Sequence, residues 1–112
     1  MITRLVPKPA PGLSLSDDEA SRLADMFRLL GDASRLRILL ACLEQPTHVG
    51  AIAERAGLSI SLVSHHLRLL RAARLVRATR QGKQVVYEGA DDHVRTVIQD
   101  MVTHLSEPED ED

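Results

Sequence analysis

The stretch AIAERAGLSISLVSHHLRLL, residues 51–70, leaves few ways to fold. Apolar residues recur three and four apart on both sides of a short break. Val49, Ile52, Ala53 and Ala56 make one stripe, and Val63, Leu67 and Leu70 make another. Two such stripes demand two helices packed on one core. Gly57 supplies the turn between them, and Ser59 is placed to cap the second helix. Thr47 is placed to cap the first. Opposite its apolar stripe the second helix carries Ser61, Ser64, His65 and Arg68. The segment therefore reads as helix, short turn, helix, with one polar face left open.

The flanking sequence adds three helices and a hairpin. Residues 1–15 contain Pro7, Pro9, Pro11 and Gly12 and read as a flexible arm. Ser16 to Glu19 is a capping box, followed by Ala20, Leu23, Phe27 and Leu30 at helical spacing and by Gly31 as a stop. Asp32 caps a second helix whose Leu36, Leu39, Leu40 and Leu43 are expected to face inward, and Pro46 closes it. After the helix pair, LVRATRQGKQVVYEG has β-branched runs on both sides of Gln81-Gly82, which predicts a β-hairpin with a basic tip from Arg80 to Lys83. A last helix begins near Asp91 or Asp92, with Val94, Val97, Ile98, Met101, Val102 and Leu105 as its apolar stripe. Residues 108–112 read as an acidic tail, so the folded domain is expected to span 16–107. There is no internal repeat.

Charge and composition narrow the function. The only aromatic residues are Phe27 and Tyr87, so the core is aliphatic and modest, the kind that a partner subunit completes. The lone Cys42 has no internal disulfide partner, which points to a reducing cytoplasm. No apolar run is long enough to span a bilayer, so no membrane partner is expected. The net charge of −2 hides an asymmetry. Arg55, Arg68, Arg71, Arg74, Arg77, Arg80 and Lys83 follow one another with no acid between them, whereas residues 91–112 hold eight acids against Arg95. An uninterrupted basic run on a helix pair suggests a polyanion.

A helix fits the DNA major groove and reads base edges with its exposed N-terminal half. Ser61, Ser64, His65 and Arg68 are the candidates for that reading. Arg77, Arg80 and Lys83 on the hairpin are candidates for phosphates beside the groove. Ser59 and Thr47, at helix N-termini, are placed where phosphates are received. Ser64 beside His65 is not a nucleophile with its base, because adjacent helical residues point about 100° apart. With no glycine-rich active-site loop, the chain does not read as an enzyme. A metallohydrolase-like enzyme is the least favoured alternative.

Three segments, LADMFRLLGDASRLRILLACL, AIAERAGLSISLVSHHLRLLRAARLVRATRQGKQVVYEGAD and the final helix, resemble the ArsR/SmtB family of bacterial winged-helix transcriptional regulators across about residues 20–107. GDASRLRIL and SLVSHHLRLLRAARLV are the most specific stretches. The resemblance implies a mainly α fold with a β-hairpin wing: a winged helix-turn-helix of four helices, two strands and a fifth helix. It implies a homodimer through the first and last helices, a recognition helix at about Ser59–Ala72, a wing at about Val76–Gly89, and a double-stranded operator with two-fold symmetry. Members usually repress genes for metal or stress handling and release DNA when an inducer binds. A member whose DNA binding ignores metal, or one that activates, is the alternative. Two departures stand out. Arg74 replaces the usual Gly after the recognition helix, and His48-Val49-Gly50 stands where a Cys-Val-Cys thiolate motif would align. The second argues against an arsenic, cadmium or lead sensor using that site.

His93 and His104 are eleven residues apart, about 20° around a helix and roughly 16 Å along it. Nitrogens sharing one zinc ion each lie about 2.0–2.1 Å from it, so one chain cannot close this pair on a metal. Two copies of the helix packed antiparallel across a two-fold axis can. His93 and Asp91 of one chain then meet His104 and Glu107 of the other, and symmetry repeats the site. Asp91, His93, His104 and Glu107 match the family's fifth-helix metal site in type and spacing. Two nitrogens and two carboxylate oxygens suit Zn(II) first, with Co(II) or Ni(II) next.

Overall fold

The computed structural model describes residues 13–109. Its elements are α1 (Asp17–Leu30), α2 (Ala33–Glu44), β1 (Thr47–His48), α3 (Val49–Ala56), α4 (Ile60–Ala72), β2 (Val76–Gln81), β3 (Gln84–Gly89) and α5 (Asp92–Ser106). This is the winged helix-turn-helix expected from sequence, with one strand added. The expected arm lies largely outside the described residues, as does the tail beyond residue 109.

Local side-chain bonds set most helix starts. Ser16 Oγ accepts from the Glu19 amide at 3.1 Å, while Glu19 Oε1 accepts from the Ser16 amide at 3.0 Å, closing the capping box. Asp32, Ser59 and Asp91 cap α2, α4 and α5 in the same way. Thr47 does not cap α3. It is buried in β1, paired with Tyr87 of β3, and its hydroxyl donates to the Gln45 carbonyl at 2.7 Å. The cap is His48, whose Nδ1 accepts from the Ala51 amide. A β-branched residue beside an open strand edge gains more by pairing there than by capping.

The helix pair ends twice in the same motif. Leu58 N–H reaches the Ala53 carbonyl and Gly57 N–H the Glu54 carbonyl. Leu75 N–H likewise reaches Leu70, and Arg74 N–H reaches Arg71. Both are Schellman ends with a left-handed residue in the penultimate place. Gly57 has φ +67 and Arg74 has φ +62. The chain thus keeps the turn without glycine and bears about 1 kcal/mol of strain there.

The core lies between α2, α3, α4 and the sheet, with Ile38, Leu39, Ile52, Val63, Leu67 and Leu70 essentially inaccessible. The stripe expected for α2 is rotated. Ile38, Leu39, Cys42 and Leu43 are buried, whereas Leu36 and Leu40 are only half-buried. Val49 and Ala56 of α3 are half-buried as well. Because α2 is covered by α3, α4 and β3 at once, its buried face is wider than a single amphipathic stripe. Burial pushes the Cys42 thiol up to about 12, so it is a core residue and a poor ligand.

In the wing, β2 pairs antiparallel with β3 and Gln81 faces Gln84. The two turn residues are therefore Gly82-Lys83, one later than expected. Only Gly82 has positive φ, as a type II′ hairpin requires. The sheet order is β1-β3-β2.

Neither α1 nor α5 has a buried residue. Leu23 and Phe27 of α1 and Val97, Met101, Val102 and Leu105 of α5 are between 42% and 83% exposed. With Leu36 and Leu40 they line an apolar groove of about 530 Å³.

Candidate nucleic-acid interface and metal half-site

Helix α4 has two unlike sides. Val63, His66, Leu67 and Leu70 are buried; Ser61, His65 and Arg68 are exposed, and Ser64 is half-buried beside them. Ser59 Oγ is committed to the Leu62 amide at 3.1 Å, so a phosphate at this helix start would meet backbone amides first. Thr47, being buried, offers nothing to a phosphate. Ile60 and Leu62 flank the polar face and are 57% and 41% exposed. Neither belongs to the apolar stripe or to the polar face read from the sequence.

The basic run is thinner in space than along the chain. Arg55 pairs with Glu44 from α2, and Arg77 Nε donates to Glu88 Oε1 across the wing at 2.7 Å. Thr79 Oγ1 donates to the same oxygen, and these partners, Arg77 foremost, hold the Glu88 carboxyl below the usual carboxylate range. Arg68, Arg71, Arg74, Arg80 and Lys83 have no ion pair among the described residues. The cationic surface therefore runs along α4 to its end and reappears at the wing tip.

The chemistry-bearing residues of α5 lie at its two ends. Asp91 caps the helix by accepting from the Val94 amide at 3.1 Å, and its Oδ1 stands 3.6 Å from His93 Nδ1. That amide bond, with His93 nearby, holds the Asp91 carboxyl below its ordinary value. His93 is 94% exposed and free to turn, whereas Asp91 is held by its cap bond beside it. At the other end Glu107 is the C-cap residue and donates its amide to the His104 carbonyl at 3.2 Å. The two ends stay apart: among the described residues no three His, Cys, Asp or Glu side chains of one chain gather as a metal cluster. Yet His93 and His104 both border the apolar groove between α1 and α5. Imidazole and carboxylate at each end fit a divalent transition metal, on condition that another chain supplies the missing half.

One polar contact was not foreseen. Arg35 of α2 donates from Nε to His66 Nδ1 at 3.3 Å and from a terminal nitrogen to the Leu29 carbonyl at 2.9 Å. Its partners lie in α4 and in the last turn of α1. The one sequence hint was His66 falling on the buried side of its helix.

No helix among the described residues is long and apolar enough to cross a membrane. The family model described as bacterial regulatory protein, arsR family, matches residues 32–78. The transcriptional repressor SmtB homolog of Synechocystis is 41% identical over 93 residues, covering 83% of this chain and 70% of that protein. The regulator KmtR of Mycobacterium tuberculosis is 36% identical, covering 86% of this chain and 70% of that protein. Among solved structures, the cadmium metal-sensor CmtR of M. tuberculosis superposes with a TM-score of 0.65 at 38% identity, covering 80% of this chain and 93% of that one. The homodimeric winged helix-turn-helix DNA-binding domain Mb0332 of M. bovis superposes at 0.70 with 26% identity, covering 89% and 99%.

Proposed function

This chain belongs to the arsR family of bacterial regulatory proteins, and from that premise we propose that it is a homodimeric, sequence-specific DNA-binding repressor released by a divalent transition metal held between its two α5 helices. Ser61, Ser64, His65 and Arg68 read base edges, backbone amides at the start of α4 receive a phosphate, and Arg80 and Lys83 meet phosphates at the wing. Arg77 reaches DNA by exchanging Glu88 for phosphate. The dimer forms by covering the groove of α1 and α5 with the same surface of a second copy, which brings two recognition helices to a symmetric operator.

One observation carries the metal reading: His93 and His104 border the same uncovered apolar groove from opposite ends of α5. Antiparallel pairing of two α5 helices sets His93 and Asp91 of one chain against His104 and Glu107 of the other. The metal, when bound, supplies a bond network that spans the two chains. Zn(II) is preferred, with Co(II) and Ni(II) next. Cadmium, for which CmtR is named a sensor and which soft thiolate ligands suit, is not expected here, since the one thiol is buried.

The test is a mixed dimer assembled from differently tagged His93→Ala and His104→Ala chains. Both defects fall in one cross-chain site, so the mixture should keep one full-affinity zinc site where wild type has two. A mixture that binds no zinc places all ligands within one chain and overturns the reading. Run-off transcription from a selected operator should fall with apo protein and recover with zinc; a rise with apo protein would make the chain an activator.

A further inference from the structure

Arg35 joins three helices with one side chain. Its amide is held by the Asp32 cap at 2.9 Å, its terminal nitrogen by the Leu29 carbonyl, and its Nε by His66 Nδ1. The Leu29 carbonyl is among the last four of α1, which a helix leaves without an internal partner. His66 is 7% exposed and sits in the middle of α4, next to His65 on the exposed polar face. Helix α1 bears half of the uncovered apolar groove. The contact therefore spans from a groove helix to the DNA-reading helix.

We propose that Arg35 and His66 are positioning residues for DNA reading: the guanidinium ties the last turn of α1 to the middle of α4, and the tie forms only with a neutral imidazole. An imidazolium has donors at both nitrogens and cannot accept from Arg35 Nε. It would also set one cation against another. The charged and titratable groups around the ring are Arg35 on α2, Asp32 at its cap and His65 on α4. Burial and Arg35 favour the neutral ring, and Asp32 opposes them. At neutral pH the link is made. In acid the ring must turn away, α4 gains freedom, and the fraction of molecules poised for DNA falls, with apparent affinity falling in proportion.

The inference rests on DNA binding and not on the metal site. The probe is a fluorescent duplex selected by the wild-type protein from a random pool, titrated in chelator from about pH 8 to about pH 5.5, across the ordinary imidazole range. His66→Gln offers an amide oxygen to Arg35 and does not titrate. It should bind near wild-type strength at the alkaline end and lack the acid loss. His66→Leu offers no acceptor and should bind about tenfold weaker than wild type at the alkaline end, the effect of losing one hydrogen bond to a charged group, with no further acid loss of its own. Circular dichroism at each pH checks that the chains are folded. Wild-type affinity in His66→Leu, or the wild-type acid loss persisting in His66→Gln, overturns the proposal. Should His66→Leu fail to fold, the comparison of His66→Gln with wild type decides alone. NMR of the imidazole nitrogens tests the link without DNA: His66 Nδ1 must be unprotonated at the alkaline end, and a proton there refutes it. A wild-type chain that selects no duplex would count against DNA binding instead.

Discussion

Arg74 is the one non-glycine residue with positive φ among the described residues, and it closes the recognition helix. Arg74→Gly should therefore stabilise the protein. The left-handed position costs a Cβ-bearing residue about 1 kcal/mol, and glycine removes that cost. The Schellman bonds need only backbone, so the variant keeps them. For a domain of this size, about 1 kcal/mol raises Tm by roughly 4–8 °C. A homodimer carries the change twice and doubles its unfolding enthalpy, so the shift stays in that range. Arg74 is also one of the cations without an ion pair among the described residues, and its loss alters surface charge. Arg74→Ala is the control: it removes the same charge and keeps the Cβ. Urea unfolding at fixed protein concentration should give Arg74→Gly a higher midpoint than Arg74→Ala with an unchanged slope. Gly57→Ala, at φ +67, should move the opposite way by a similar amount. Equal midpoints for Arg74→Gly and Arg74→Ala would refute the strain argument.

Arg80→Ala should weaken binding to all duplexes alike and lower the log–log salt slope by about 0.9, the effect of losing one phosphate contact. Arg77→Ala should change the slope less, because Arg77 already has Glu88 for a partner. Met101→Asp, at a groove residue 57% exposed in one chain, should give a monomer by sedimentation and lose operator affinity; a dimer of wild-type strength would show that the groove is not the interface. Acid should destabilise the fold in two windows. His66 is held below its ordinary pKa, so the unfolded chain binds the proton first and stability falls as pH drops below about 6.5. Glu19, Asp32, Glu88 and Asp91 are also held low, so their contribution, complete above the ordinary carboxylate values, is lost as pH falls through the folded ones. His66→Gln should abolish the first window in a thermal-melt series and leave the second.

What was legible in the sequence was local. Ser16, Asp32, Ser59 and Asp91 each cap a helix by a bond to a residue three along, and such bonds depend on little beyond their own segment. Thr47 has the right type for a cap, but its strand partner Tyr87 is forty residues away, and only the folded chain brings them together. The basic run misled in the same way: Glu44 and Glu88 lie outside it in sequence yet neutralise Arg55 and Arg77 in space. Arg35 and His66 are separated by 31 residues and carry no mutual pattern. The proposed metal ligands read as two half-sites because their spacing on one helix forbids closure, and among the described residues of the single chain they form no cluster of three.

The fold offers two physical routes from the groove helices to the surface that meets DNA. One is the side-chain tie of Leu29, Arg35 and His66. The other is backbone: Ala90, just before the Asp91 cap, donates its amide to the Leu75 carbonyl at 3.1 Å, and Leu75 is the residue after Arg74. Gly89 is pinned beside it, since an added Cβ would lie 2.6 Å from Leu43 Cδ2. The Asp91–His93 end of α5 is thus joined by backbone to the residue after Arg74, and the Gly89 backbone beside it has no room for a side chain. The two routes reach α4 at different points, its middle and its C-terminal end. A shift of α5 alone would load the Ala90–Leu75 bond and not the Arg35 tie. Two recognition helices must keep the spacing of their half-sites, so a change in the placement of α4 acts on both half-sites of a dimer at once.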